Sequence, residues 1–311
     1  MVVTHGNPPG NLGRAAGTGP CALTVGNFDG VHRGHRAMLA RLAGGARELG
    51  LAPCVLTFEP HPREFFSPAS APARLTRLRE KAELLAEAGV ARLHVARFDA
   101  ALAAMSADRF VEEFLARGLG AKWILAGRDF RFGARRAGDF SQLQESGARH
   151  GLAVEAMPEV AHDGARVSSS AVRAALQAGD LRRAETLLGR PYTMSGRVAH
   201  GDRLGRSLGY PTANIVLRRA SPIAGIFVVE VDGLGQGVAS VGVRPTVRRL
   251  ELPLLEVYLF DWTGDGLYGR HLRVRFLEKL RDEKKFDGLP ALREAIARDV
   301  AQAREYFATH A

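Results

Sequence analysis

The chain has 311 residues, of which 46% are apolar and 24% charged, and its formal net charge is +10. This length predicts two domains, and the composition is that of an ordinary globular protein with enough apolar residues to form a core. We expect a cytoplasmic protein without a membrane-spanning helix, because the sequence has no apolar run of about 18 residues and no secretion signal at its start.

The net positive charge indicates a negatively charged binding partner. Only five of the 43 basic residues are lysine, and the arginines are scattered rather than gathered into a basic block with interleaved aromatic residues. We therefore expect small anionic substrates such as nucleotides, and no nucleic acid or membrane partner. A basic nucleic-acid-binding or regulatory protein remains the alternative. The two cysteines, Cys21 and Cys54, have no metal-binding spacing and are predicted to be reduced core residues.

Residues 1–19 are predicted to be a flexible tail rich in glycine and proline. After them, short apolar segments alternate with amphipathic ones, which predicts βαβ units and a parallel sheet with helices on both faces. The predicted strands cover 21–25, 53–58, 92–98, 122–127 and 152–157, and the predicted helices cover 33–48, 75–89, 106–119 and 139–150. Ser168 is predicted to open a helix that ends near Gln177, and Asp180 to cap another that ends near Leu188.

The pattern changes near residue 190. Four β-like segments follow at 225–231, 236–243, 254–261 and 271–280, and no long helix comes before 289–308. Strands without crossover helices predict an antiparallel β-barrel or sandwich with a terminal helix packed on it. The predicted organisation is therefore a flexible tail (1–19), a Rossmann-like α/β domain (20–188) and an antiparallel β-barrel domain with a C-terminal helix (189–311).

The segment GNFDGVHRGH (26–35) lies between the first strand and the first helix of the α/β domain, where open α/β sheets bind ligands. Its glycines allow close approach of the backbone, and a helix N-terminus favours phosphate. His32 and His35 lie one turn apart and can face that phosphate together. The spacing matches neither a dinucleotide-binding GxGxxG nor a P-loop. Zinc, with His61 as a third ligand, is the remaining competitor.

The same segment resembles the HxGH signature of the nucleotidylyltransferases, in the GxFDGxHxGH form found in flavin-specific members. VSSSAVR (167–173) resembles the serine-rich motif of that superfamily, although by itself it could be an ordinary helix cap. Ser170 stands where threonine is commoner and keeps the hydroxyl. The resemblance implies that His32 and His35 are catalytic. It also implies a set of residues that bind ATP and phosphate: Gly26, Asn27, Phe28, Asp29, Gly34, Ser168, Ser169, Ser170 and Arg173.

Two further segments, TFEPHP (57–62) and GRDFRFG (127–133), follow the second and fourth predicted strands. They resemble segments of the same family that are attributed to the flavin pocket, and aromatic side chains suit a flat isoalloxazine ring. Each phenylalanine taken singly could equally be a core residue. The flavin-binding residues implied by this resemblance are Phe58, His61, Pro62, Asp129, Phe130 and Phe132.

A glycine-rich cationic segment opens the barrel domain and ends in PTAN (211–214). Alone it could be a plain surface hairpin, but it could also cover nucleotide phosphates. Thr212 and Asn214 lie two residues apart in an extended stretch and offer oxygen ligands on one side, which Mg²⁺ prefers. The residues predicted to bind ATP here are Gly201, Arg203, Gly205, Arg206, Gly209 and Pro211.

This half resembles riboflavin kinases, whose signature is a glycine-rich loop ending in GxPTAN. The kinase base in that family is a strand glutamate, which the resemblance places at Glu256 within LLEVYLFDWTGDGLYG (254–269). A lone strand glutamate is otherwise a solvent-facing residue. Ser240 departs from the asparagine that is common in the family, but serine keeps a hydrogen-bond donor and acceptor, so we expect activity to be retained.

Together the motifs cover about residues 21–308 and resemble the bifunctional prokaryotic FAD synthetases. The resemblance implies ATP-dependent phosphorylation of riboflavin to FMN, followed by transfer of an adenylyl group from a second ATP to give FAD and pyrophosphate. ATP is the co-substrate, Mg²⁺ the metal, and FMN and FAD the product flavins. A single-activity enzyme with one vestigial site is the alternative within this family. The sequence does not give the oligomeric state.

Overall fold

A computed structural model describes residues 1–7, 19–158, 161–162, 165–200, 205, 208–217, 219–243, 253–262 and 266–310. The chain divides into two compact units. The first unit combines Met1–Pro72 with Arg77–Val167, and the second combines Ala73–Thr76 with Ser168–Ala311. Each unit is described below by itself.

The described part of the first unit contains a six-stranded parallel sheet. Its strands are, in chain order, β1 Val2–His5, β2 Cys21–Val25, β3 Ala52–Glu59, β4 Arg92–Arg97, β5 Ala121–Gly127 and β6 Ala153–Met157. Their order across the sheet is β1-β4-β3-β2-β5-β6, and all neighbours are parallel. The strand order therefore reverses beside β2, whose residues are all buried. The carboxyl ends of β2, β3 and β5 meet at this reversal, which is where ligands bind in open α/β sheets.

The N-terminal strand β1 differs from the flexible tail predicted for residues 1–19. Its pairing with β4 runs in parallel register from Val2 opposite Arg92 to His5 opposite Val95. Valine and threonine suit a pleated edge strand, and Thr4 Oγ1 lies 2.8 Å from His94 Nδ1. These partners are about 90 residues away in sequence, so the local composition did not indicate the strand. Residues 8–18 lie outside the described part of the chain.

Helices cover both faces of the sheet. They are α1 Arg33–Glu48, α2 Pro62–Phe66, α3 Leu78–Glu87, α4 Ala100–Ala103, α5 Ala107–Arg109 with a π-helical continuation Phe110–Gly118, and α6 Phe140–Arg149; a short hairpin follows, β7 Ala161–His162 and β8 Ala165–Arg166. Successive residues of β2 point to opposite faces. Leu23 packs in one apolar cluster with Phe114, and Ala22 packs in another with Leu42 and Leu85. Each such leucine contributes roughly 1.5–3 kcal/mol by its burial. Cys21 and Cys54 are buried and free, as expected for core cysteines.

The second unit is built around a closed barrel. Its elements are α7 Ser169–Gln177, α8 Leu181–Leu188, β9 Tyr192–Ala199, β10 Ala213–Val216, β11 Gly225–Val231, β12 Gly235–Val243, β13 Pro253–Leu259, β14 His271–Arg281 and α9 Leu289–Thr309. The strands close in the order β10-β13-β12-β11-β14-β9, and all their pairings are antiparallel. Because side chains alternate along each strand, Phe227, Val241 and Val257 fill the interior while their neighbours point outward.

The C-terminal helix α9 packs on the outer surface of the barrel. Val300, Ala303 and Phe307 join Ile226 and Val228 of β11 in one apolar cluster. Helix α8 also packs on the barrel, through β9 and β14, so residues 168–188 group with the second unit. The domain boundary that the sequence predicts between residues 188 and 189 stays a prediction.

The observed architecture confirms the predicted fold class, a parallel α/β domain followed by an antiparallel barrel and a terminal helix. In the described residues no helix is both long and apolar enough to cross a membrane.

Candidate active sites

The first candidate site begins where β2 ends. The backbone of this loop has positive φ angles at Phe28 (47°), Gly30 (85°) and Val31 (40°). Residues other than glycine adopt this backbone conformation only at some cost in free energy. The ring of Phe28 lies beneath Gly26, where an added Cβ would be 3.1 Å from Phe28 Cε2. Asp29 is 2% exposed. The loop is therefore a tightly folded support for the helix that follows it.

His32 and His35 lie together at the start of α1. His32 is the N-cap, and its Nδ1 accepts a hydrogen bond from the backbone N–H of His35 at 3.3 Å. The two rings stack with centroids 3.7 Å apart, and Phe28 packs against His35 with ring centroids 4.8 Å apart. A Cβ on Gly34 would lie 3.3 Å from the His32 ring and 3.4 Å from the Val167 carbonyl oxygen. The glycine therefore leaves room for the stacked pair.

The surroundings of His35 favour a neutral, hydrogen-bonding ring over a charged one. Loss of solvent lowers the pKa of His35 well below its usual range, and the nearby His32 and Lys81 lower it further, so this ring is neutral near pH 7. Because His32 Nδ1 is an acceptor, the proton of a neutral His32 ring is on Nε2. The Nδ1 atom of His35 and the Oδ1 atom of Asn27 are buried without a hydrogen-bond partner in the described residues. The loop thus presents polar atoms that a ligand can satisfy.

The end of β3, which is hydrogen-bonded to this loop from Thr57 to the Asn27 carbonyl oxygen, carries Phe58, and His61 follows it in the chain. His61 is the N-cap of α2: its Nδ1 accepts from the Arg63 N–H at 3.0 Å, and Glu64 Oε2 accepts from the His61 N–H at 3.2 Å. Pro62 is the first residue of the helix. His61 therefore already has a structural role. In the described residues no three His, Cys, Asp or Glu side chains are grouped as metal ligands, which weighs against the zinc interpretation.

Phe58 belongs to an aromatic cluster that sequence reasoning missed in part. It packs edge-on against Phe98, which in turn contacts Phe65 and Phe66, with ring centroids 5.5–5.8 Å apart. Phe66 is 63% exposed. The paired phenylalanines after TFEPHP were the signal that could have indicated this surface, because exposed neighbouring aromatic residues are typical of binding sites.

The remaining three predicted flavin residues, Asp129, Phe130 and Phe132, follow β5 and lie in different surroundings. Phe132 is 6% exposed and stacks on Phe130 with ring centroids 5.3 Å apart, so Phe132 is a core residue. Asp129 is exposed and forms an ion pair with Arg166, and hydrogen bonding from that guanidinium lowers the pKa of the carboxyl. The structure brings Phe58 and Phe130 to the same edge of the sheet, at the ends of strands on either side of β2.

The serine-rich motif lies at the start of α7, in the second unit. Ser168 is the N-cap, and its Oγ accepts from the Ala171 N–H at 3.2 Å. Arg173 donates from Nε to the Ala73 carbonyl oxygen at 2.7 Å. Ser169 is half-buried and Ser170 exposed. The helix-cap interpretation therefore holds for Ser168, and the serines that follow it keep hydroxyls at a helix N-terminus.

The second candidate site is a row of polar side chains across three strands of the barrel. Asn214 on β10 pairs with Glu256 on β13, and Glu256 pairs with Ser240 on β12. Directly paired residues of antiparallel strands point to the same face. Their neighbours Leu255 and Val257 are buried inside the barrel, so the row lies on the outer face.

The turn before β10 brings Thr212 towards this row. The Tyr210 N–H donates to the Gly205 carbonyl oxygen at 2.7 Å, and a Cβ on Gly205 would lie 3.3 Å from Thr212 Oγ1 and would clash with the Tyr210 carbonyl. Gly209 has a φ of 90°, which favours glycine. The predicted ATP-binding residues Gly201, Arg203 and Arg206 lie outside the described residues, and Pro211 directly precedes Thr212.

Glu283 is a neighbour of this row that sequence reasoning missed. Ser240 Oγ lies 3.1 Å from Glu283 Oε1, and Gly242 faces the same carboxylate so closely that an added Cβ would overlap it. Nothing in the charged segment LRDEKKF singled out this residue, because only the tertiary structure brings it over β12.

Comparison with known proteins relates each unit to an enzyme family. A family profile described as FAD synthetase matches residues 15–171, and one described as riboflavin kinase matches residues 188–307. Proteins named bifunctional riboflavin kinase/FMN adenylyltransferase are similar over nearly the whole chain. The one from Escherichia coli K12 is 49% identical, with 96% of each chain covered, and the one from Pseudomonas fluorescens is 51% identical, with 94% of each covered. The chain belongs to the bifunctional riboflavin kinase/FMN adenylyltransferase family.

This membership confirms the family and the enzyme class that the motifs predicted. A crystal structure described as a macrolide-efflux protein from Streptococcus pneumoniae has the same fold, with a TM-score of 0.78, 29% identity and coverage of 96% of this chain and 97% of that one. The FAD synthetase match includes the stacked histidines and the aromatic residues after β3 and β5. The riboflavin kinase match includes the row of Asn214, Glu256 and Ser240.

Proposed function

We propose that this chain makes FAD from riboflavin in two steps at two separate sites, in the cytoplasm. The barrel phosphorylates riboflavin to FMN, and the α/β domain transfers an adenylyl group from a second ATP to FMN. The observation that carries the proposal is that two different enzyme families match consecutive parts of one chain, each over its own motif.

At the α/β site, a phosphate oxygen of FMN attacks the α-phosphorus of ATP. A new P–O bond forms, and the bond from that phosphorus to the oxygen bridging to the β-phosphate breaks, so pyrophosphate leaves with the electron pair. The α-phosphate of the transferred adenylyl group gains negative charge in the transition state, where preorganised donors are most effective. His32 supplies Nε2–H and His35 a neutral ring from the first turn of α1, whose free N–H groups favour phosphate.

The other predicted residues of this site hold the two substrates. Asn27 contributes the buried Oδ1 that has no described partner. The loop of Gly26, Phe28, Asp29 and Gly34 shapes the phosphate cradle. The resemblance of the serine-rich motif assigns a phosphate-binding role to Ser168, Ser169, Ser170 and Arg173 as well. Phe58 and Phe130 form the apolar surroundings of the isoalloxazine ring, Phe132 supports Phe130 from the core behind it, and His61, Pro62 and Asp129 lie at the edge of the ring. The exposed ring of Phe66 extends that surface.

At the kinase site, Glu256 accepts the proton of the ribityl 5′-hydroxyl of riboflavin as that oxygen attacks the γ-phosphorus of ATP, and ADP leaves. Such transfers depend mainly on positioning and electrostatics. Thr212 and the 8%-exposed Asn214 offer oxygen atoms next to Glu256, a donor set that fits Mg²⁺. Bound there with ATP, the ion would offset phosphate charge. The glycine-rich segment with Gly201, Arg203, Gly205, Arg206, Gly209 and Pro211 covers the nucleotide.

Two conservative variants test the assignment of the sites. Glu256→Gln keeps the size of the side chain and removes the base, and we expect FMN formation from riboflavin to fall by about 10²–10⁴-fold. His32→Asn keeps a helix-capping acceptor and removes the imidazole, and we expect FAD formation from FMN to fall by about 10²–10³-fold. Each variant should leave the other activity near the wild-type rate.

Chromatographic separation of riboflavin, FMN and FAD after incubation with ATP and Mg²⁺ measures both steps. Glu294→Gln on the exposed side of α9 and His150→Asn at the end of α6 are the matched controls. Loss of both activities in either folded variant would contradict the two-site assignment. A wild-type protein that carries out only one of the two steps would instead support the single-activity alternative.

A further inference from the structure

All five lysines lie in the described residues, and Lys81 is the one among them that is buried. It is 1% exposed on α3, whereas the other four lysines are exposed or half-exposed. Placing an ammonium group in a protein core costs several kcal/mol unless nearby groups compensate. No motif singled this residue out, and the proposed mechanism has not used it.

The position of Lys81 connects it to the loop of the first site. Its Nζ lies 3.4 Å from Thr57 Oγ1, on β3. The Thr57 hydroxyl donates its proton to the Asn27 carbonyl oxygen at 3.3 Å, so its lone pairs are available to accept from the ammonium. Thr57 is completely buried. Lys81 thereby reaches the segment between Gly26 and His32 through a single bridging hydroxyl.

The ammonium also acts on the histidine pair. After loss of solvent and the neighbouring His32, the charge of Lys81 is the next cause that keeps the pKa of His35 low. The adjacent Glu80 carboxylate accepts from the Arg77 N–H at 2.7 Å at the start of α3, so it has its own role as a helix cap. A buried cation beside a ring that must be neutral is the arrangement expected near a site for anions.

We propose that Lys81 is a positioning residue of the adenylyl-transfer site: it anchors the 26–32 loop through Thr57 and keeps a fixed positive charge behind His35 for the phosphates of ATP. This inference rests on the proposed function of His32 and His35. The charge attracts the negatively charged phosphate groups, and its repulsion of a second cation adds to the loss of solvent and the neighbouring His32 in keeping His35 a hydrogen-bonding ring.

The test compares Lys81→Met with Lys122→Met, which removes an exposed lysine from β5 of the same unit. We expect Lys81→Met to lower kcat/KM for FMN adenylylation by about 100-fold, whereas riboflavin phosphorylation in the same preparation stays unchanged. Lys122→Met should change neither activity by more than about twofold. Lys81→Arg should restore part of the adenylylation because it restores the charge.

A second readout separates electrostatic positioning from simple packing. In an NMR titration of the imidazole rings, the pKa of His35 should rise in Lys81→Met and stay low in Lys81→Arg, because the charge that lowers it is removed only in the former. His32 on the N-cap of α1 is the other ionisable group acting on His35, and it is unchanged in both variants.

Thr57→Val removes the bridging hydroxyl and keeps the shape, which covers the case in which Lys81→Met fails to fold. We expect it to lower adenylylation by about tenfold without affecting phosphorylation. Full adenylylation in folded Lys81→Met, or in Thr57→Val if the former does not fold, would overturn the inference. If His32→Asn also keeps full adenylylation, the proposed site itself is wrong; if only His32→Asn loses it, the failure is confined to Lys81.

Discussion

Removing only the Arg281 partner of the ion pair between Arg281 and Asp299 should destabilise the packing of α9 on the barrel. Arg281 at the end of β14 donates from Nε to Asp299 Oδ1 at 2.8 Å and from Nη2 to Oδ2 at 2.7 Å. The Asp299 side chain is 6% exposed and that of Arg281 24%. Substituting Arg281→Met therefore leaves a carboxylate buried without its bidentate partner.

The magnitude follows from this geometry. Removing one partner of a buried pair costs about 3–5 kcal/mol, and because about a quarter of the Arg281 side chain reaches water, we expect a value near the lower end. Loss of the cation–π contact with Phe286, at 5.6 Å, adds about 0.5–1 kcal/mol. The double variant Arg281→Met/Asp299→Leu removes the orphaned charge, so we expect its free energy of unfolding to return to within about 1 kcal/mol of the wild type.

Urea unfolding measures these free energies unit by unit. The chain has two tryptophans, Trp123 in the first unit and Trp262 in the second. In a Trp123→Phe background, the fluorescence of Trp262 reports the second unit. A loss below about 1 kcal/mol in Arg281→Met, or a double variant no more stable than the single one, would refute the reasoning.

Three further predictions concern single positions. Gly133→Ala should destabilise the first unit by about 2–4 kcal/mol in urea unfolding, because φ is +70° and the new Cβ would lie 2.7 Å from Ala107 N; Gly151→Ala, with φ at +69° and open space around it, should cost about half as much. Gly242→Ala should push the Glu283 carboxylate away from Ser240 and lower riboflavin phosphorylation by about tenfold, with FMN adenylylation as the control. The pKa of His35 is lower in the folded protein than its ordinary value of 6.5. The unfolded state therefore binds more protons than the folded state when the pH falls below that value. The unfolding free energy of the first unit should therefore fall as pH drops below 6.5, and a flat pH profile of that unit, or the same fall in His35→Gln, would contradict this.

Local patterns predicted most of the elements well. The helix predicted at 33–48 is α1, the strand predicted at 225–231 is β11, and Ser168 and Asp180 cap α7 and α8 as expected. These features depend on periodicity and capping chemistry within a few residues, which the sequence displays directly. The motifs also indicated the family, since their residue types and order are themselves sequence properties.

Other features depend on residues far apart in the chain. Strand β1 forms because it meets β4 about 90 residues later, and Thr57 supports the loop at Asn27 from the neighbouring strand. The glycine and proline content of residues 1–19 predicted a flexible tail. Composition carries no information about pairing with a distant sheet edge, so it did not indicate β1. The same limit applies to Phe132, whose motif suggested flavin binding and whose surroundings place it in the core.

The sequence by itself determined the two-domain α/β and barrel architecture, the family and the pair of histidines, because these depend on local periodicity and on motif spacing. Only the tertiary structure decided which side chains share an environment: the burial of Lys81, the row of Asn214, Glu256 and Ser240, and the position of Glu283 over β12. The physical reason is that strand pairing and helix packing bring together residues whose contact no local pattern encodes.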